Sequence, residues 1–100
     1  MTPTFTEALS WLTEFMAEKH PDITHLPTKS AEYWSNDFIE YCLYEGAFGE
    51  PRFSLTNMEI TEYQIFRFVI PSTKEDLFTI LQILDIWTNQ KTTHSTKPDS

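Results

Sequence analysis

Two stretches of the chain, one near each end, carry apolar side chains at helical spacing, and the segment between them alternates apolar with polar positions. In the first, Phe5, Ala8, Leu9, Leu12, Phe15 and Met16 recur every three or four residues after Thr4 and Glu7, which have the spacing of a capping box. The pattern predicts an amphipathic helix over residues 5–19, with Trp11 beside its stripe, that stops at His20 because Pro21 disfavours helical geometry in the residue before it. Residues 21–29, which hold Pro21 and Pro27, read as a loop. Near the other end, Leu77, Ile80, Leu81, Leu84 and Trp87 repeat with helical period behind Ser72 and Glu75, so a helix over residues 73–89 capped by Ser72 is expected. Phe78, Ile83 and Ile86 make that helix apolar over a wider arc than a surface helix needs, and the reading favours burial of this arc over a partner upon it.

Between the helices, Tyr63 to Ile70 is dense in β-branched and aromatic residues and reads as a strand. Arg52 to Thr56 also alternates, and Met58 to Thr61 alternates one residue out of phase, which calls for a bulge or a turn at Thr56-Asn57. Residues 38–45 suit either period, and Ile39, Tyr41 and Leu43 tip them toward a strand. Both glycines, Gly46 and Gly49, fall in the connection that follows. The expected fold is α+β: an N-terminal helix, a short antiparallel sheet of two to four strands, and a C-terminal helix, the helices on one face. Residues 1–90 form one globular domain in this reading, and residues 91–100, which lack any apolar anchor, form a mobile tail.

Composition narrows the chemistry. Seven Lys and Arg against fifteen Asp and Glu give a net charge of −8, which disfavours nucleic acid and anionic lipid and attracts a basic surface. The acidity is concentrated in residues 30–62, which hold seven acids and only Arg52. Cys42 stands alone, so no intramolecular disulfide or multi-cysteine metal site can form. With no signal peptide or membrane span to be read, a reducing, cytoplasmic location is the expectation.

Motifs for catalysis are missing from the pattern. Two glycines cannot build a phosphate-cradling loop, and Ser72 is accounted for as a cap. Cys42, in an apolar run near Glu40, has surroundings that raise a thiol pKa, and it reads as a small core-filling residue. His20 and His25 straddle Pro21, so no regular element presents them together, and they read as loop residues. No catalytic residue, metal ligand or cofactor site is therefore assigned.

The middle third interleaves aromatic and acidic residues, and Glu32, Tyr33, Trp34, Asp37, Glu40, Tyr44 and Glu45 are the expected partner-binding residues. The preferred function is a non-catalytic, acidic protein-binding module. It would act as an inhibitor or neutraliser of the immunity, antitoxin or phage-inhibitor type, or as a mimic of nucleic acid, and occlude a basic protein or the basic surface of a nucleoprotein. The alternatives are a small enzyme or ligand-binding domain with a site drawn from distant residues, such as His20 or His25 with Tyr and Glu side chains, and a homodimeric accessory subunit closed through a strand edge or the C-terminal helix.

Overall fold

In the computed structural model, which describes residues 2–57 and 64–96, the first helix, α1 (Phe5–Lys19), starts as its capping box requires. Thr4 Oγ1 accepts from the Glu7 backbone N–H at 3.1 Å, and the Glu7 carboxylate accepts from the Thr4 N–H at 2.9 Å. His20 closes the helix, its N–H donating to the Met16 carbonyl. Ala8, Leu12, Phe15 and Met16 are the buried stripe, and Trp11 packs partly buried beside it.

Five strands follow, rather than two to four: β1 (Thr24–Pro27), β2 (Ala31–Ser35), β3 (Ile39–Glu45), β4 (Pro51–Asn57) and β5 (Gln64–Val69). Each pairs antiparallel with its neighbour in sequence, giving the order β1-β2-β3-β4-β5. The added strands are β1, within the expected loop, and β2. All four residues of β1 are exposed, so it has no buried face to leave an alternating signature, and Pro27 suits its place on the edge of the sheet. Pairing runs unbroken through Thr56 and Asn57, so neither a bulge nor a turn lies there; the out-of-phase run Met58 to Thr61 falls outside the described residues.

The turns are held by local polar groups. Thr28 brackets the β1–β2 turn through Ala31, and Asn36 Oδ1 accepts from the N–H groups of Phe38 and Ile39 between β2 and β3. Between β3 and β4, Gly49 adopts φ +80°, where a side chain would be strained, and a Cβ on Gly46 would collide with Glu50 and Arg52. That turn carries Phe48 at its tip, 95% exposed.

The second helix, α2 (Lys74–Thr96), is capped one residue later than expected. Thr73 Oγ1, not Ser72, accepts from the Asp76 N–H at 3.1 Å, and the Thr73 carbonyl accepts from Leu77. The helix also outruns its expected end, so residues 91–96 of the expected tail are helical, while residues 97–100 lie outside the described ones. Leu77 and Leu81 are fully buried and Phe78 packs edge-on against Phe15 at 5.3 Å between ring centroids. Ile83 and Ile86, expected to be buried, are 60% and 58% exposed.

Both helices contribute to one core on one face of the sheet, with Trp34, Tyr41, Leu43, Phe53 and Leu55 beneath them. Because strand residues alternate faces, the row Trp34, Tyr41, Leu55 and Phe66 points to the helices, and the neighbouring row Tyr33, Cys42, Ser54 and Arg67 points away. No described element covers that second face.

Candidate functional site

Two arrangements of side chains stand out. One is the uncovered sheet face. Leu26, Ile65 and Val69 are exposed on it, and Tyr33, Cys42, Tyr44 and Arg52 are half-buried among them. Tyr33 and Ser54 stand opposite Cys42 on the neighbouring strands, and Arg52 stands opposite Tyr44. Burial pushes the Cys42 thiol pKa up, and the Glu40 carboxylate adds to the rise while the Tyr33 and Ser54 hydroxyls oppose it. Cys42 therefore matches the expectation of a thiol held protonated, but it lies on the uncovered face and fills no part of the core.

The expected partner-binding residues divide between surfaces. Tyr33, Glu40 and Tyr44 share the uncovered face, Asp37 lies in the β2–β3 turn, and Glu45 is exposed at the end of β3. Trp34 is 2% exposed and belongs to the core. Glu32 points to the helix side, where its carboxylate meets His25 Nε2 at 2.7 Å. Glu50, a further acid of this segment, is tied to Arg52 at 3.0 Å, and backbone N–H groups of the turn together with that guanidinium hold its carboxyl below the usual range. Glu59 and Glu62 fall outside the described residues.

The second arrangement surrounds the histidines. His20, the C-cap of α1, sets Nε2 2.9 Å from Asp85 Oδ2 on α2 and 3.2 Å from the Tyr41 hydroxyl on β3. Tyr41 donates its hydroxyl proton to the other oxygen of Asp85. Burial first, then the Asp85 charge and the hydrogen bond to it, drive the Tyr41 pKa far above its ordinary value, so the phenol is a permanent donor. His25, on β1, is stacked on Trp34 with centroids 4.8 Å apart and planes 11° from parallel, while Glu32 holds its Nε2.

The two rings, which the sequence assigned to separate loop positions, line one cleft of about 160 Å³ together with Thr13, Met16, Ala17, Pro21, Ile23 and Trp34. They meet because β1 returns beside α1 directly after the His20 cap, a consequence of the strand that the sequence pattern did not reveal. Asp85 did leave a trace in the sequence: it interrupts the apolar run of α2 four residues after the buried Leu81, on the stripe that faces the core. Each imidazole is thus oriented by a carboxylate, an arrangement that fixes its proton and presents its remaining nitrogen for binding or proton transfer. Among the described residues, no group of three or more His, Cys, Asp and Glu side chains is placed to hold a metal ion, and no helix is long and apolar enough to cross a membrane.

No family model, no curated protein and no solved structure matches this chain.

Proposed function

We propose that this chain is a non-catalytic binding module that recognises a basic protein, or the basic surface of a nucleoprotein, through the uncovered face of its sheet, and occludes it. The observation that carries the reading is that face: Tyr33 and Tyr44 stand half-buried among the exposed Leu26, Ile65 and Val69 on a rigid five-stranded platform. Aromatic groups on a preorganised surface supply contact area at small entropic cost, and apolar groups left in water by the fold gain most when a partner covers them. The net charge of −8 adds long-range attraction for a basic partner; on the face itself Glu40 stands with Arg52 and Arg67, so that attraction comes from the chain as a whole.

The test is site-specific photo-crosslinking in the source cells. A photoreactive phenylalanine analogue replaces Tyr33, Tyr44 or, as a control on the exposed side of α1, Ser10. Adducts with one basic protein are expected from positions 33 and 44 and not from position 10. Adducts from position 10 alone would overturn the reading, and adducts confined to a second copy of the chain would replace it with a homodimer.

A second reading has an observation of its own. Two carboxylate-held imidazoles on one cleft favour a ligand-binding domain whose site draws on α1, β1 and β2, with Tyr41 of β3 and Asp85 of α2 against His20.

A further inference from the structure

The cleft beside the end of α1 joins an apolar wall, formed by Met16, Ala17 and Ile23, to three polar side chains, Thr13, His20 and His25. The Nε2 atom of each ring is committed to a carboxylate, His20 to Asp85 at 2.9 Å and His25 to Glu32 at 2.7 Å. Among the described residues, Nδ1 of neither ring makes a hydrogen bond. A neutral imidazole that donates from Nε2 keeps a lone pair on Nδ1, an acceptor that no other described residue uses.

The charge of a ligand follows from what lies behind the rings. Asp85 and Glu32 are mostly shielded from water, with side chains 16% and 13% exposed, and the chain as a whole carries −8. Partly desolvated carboxylates behind the acceptors repel an anion and favour a cation, and more strongly than carboxylates free in solvent would. The volume, about 160 Å³, is close to the roughly 150 Å³ cavity known to take up a benzene ring. A stem of about three to four methylenes, the length carried by Arg and Lys, fits that space.

From these observations we infer that the cleft binds an organic cation bearing N–H donors, an alkylguanidinium or alkylammonium. The stem lies along Met16, Ala17 and Ile23, and the head donates to His20 and His25. Such a cation reaches the cleft either as a free small molecule or as an Arg or Lys side chain. The second source rests on the proposal of a basic partner; the site itself does not.

The experiment titrates isotopically labelled protein, followed by amide resonances, with n-butylguanidinium, n-butylammonium, the neutral n-butylurea and the anionic valerate. Both cations are expected to shift residues 13–25 and Trp34, with affinities about tenfold or more above that of n-butylurea, the factor expected for a charge-assisted hydrogen bond over a neutral one. Valerate should produce no shift. His25→Phe keeps a ring to stack on Trp34 but takes the partner from Glu32, so a lower melting temperature is expected; with the amide spectrum otherwise native, cation affinity should fall about tenfold. Equal binding of n-butylurea or valerate, shifts that map elsewhere, or undiminished affinity in His25→Phe would overturn the site. A capped Gly-Arg-Gly peptide separates the sources: binding like n-butylguanidinium assigns the cleft to a side chain, and exclusion assigns it to a free cation. Crosslinks at Tyr33 that persist in a protein unable to bind these cations would remove the cleft alone. Cation binding without those crosslinks would remove the partner and leave the cleft.

Discussion

Tyr41 shows what a single residue contributes when three elements converge on it. Its ring fills the core at 0% exposure while its hydroxyl satisfies Asp85, and His20 completes the pair. A carboxylate this far from water is tolerated because it accepts two hydrogen bonds; removing one donor leaves it under-satisfied. Tyr41→Phe is therefore expected to cost about 1.5–3 kcal/mol at neutral pH, the range for hydrogen bonds to charged groups. The same tyrosine shapes the alkaline limb of stability. Its folded-state pKa lies above the unfolded value, so its contribution is fully present below about pH 10 and is lost as pH rises beyond it, where the unfolded chain ionises and the folded one does not. Cys42, raised in the same direction, begins this decline nearer pH 8.5 to 9, the ordinary thiol range. Melting temperature measured from about pH 8 to about pH 11 should fall more steeply in the wild type than in Tyr41→Phe, and parallel slopes would exclude Tyr41 as the cause. Of this cluster the sequence offers His20, as a histidine that distant Tyr and Glu side chains could join; which tyrosine meets it, and that the acid is Asp85, depends on where β3 and α2 lie against the end of α1.

At the scale of the elements, local chemistry was legible where it closes on itself. Thr4 and Glu7 form the reciprocal box that their spacing implies, and Ile39, Tyr41 and Leu43 form the buried side of a strand as their alternation implies. The signal fails where an element is stabilised by its neighbours. Thr24 to Pro27 becomes a strand because β2 offers it a ladder, with His25 opposite Trp34. At the start of α2 the spacing of Ser72 and Glu75 points to Ser72, and Thr73 takes the cap instead, with its Oγ1 on the Asp76 N–H. Thr73→Ala should accordingly lower stability by about 0.5–2 kcal/mol and Ser72→Ala should leave it nearly unchanged, as thermal denaturation of the two variants will show. Equal losses would mean that the cap is shared. Ile83 and Ile86 mark a further limit, because apolar periodicity says that a face exists and not that the molecule covers it.

Over the whole molecule, the acids of the middle third do not form one patch. Glu32 and Glu50 are engaged by His25 and Arg52, whereas Asp37, Glu40 and Glu45 have no such cation against them among the described residues. Steering of a basic partner therefore falls to the latter three and to the summed field of the chain. Reversing Asp37, Glu40 and Glu45 to Lys changes the net charge from −8 to −2 and is expected to slow association with a basic partner and flatten its dependence on salt. Folding should be little affected, since exposed charges contribute little to stability. Association rates measured over a salt series will decide; an unchanged rate and slope would confine recognition to short-range contacts.

The strand order has a consequence for how the chain closes. Every strand pairs with its predecessor, so the sheet can assemble through a succession of short loops, and relative contact order is kept low. The helix-to-helix contacts are of another kind: Lys74 reaches back 60 residues to Glu14, and Asp85 reaches back 65 to His20. Closing a loop of that length costs roughly 2 kcal/mol more than closing a hairpin of a few residues. The longest loop closure is thus the return of α2 across the sheet, and the burial of Leu77 and Leu81, with the hydrogen bonds that Asp85 accepts, must offset it.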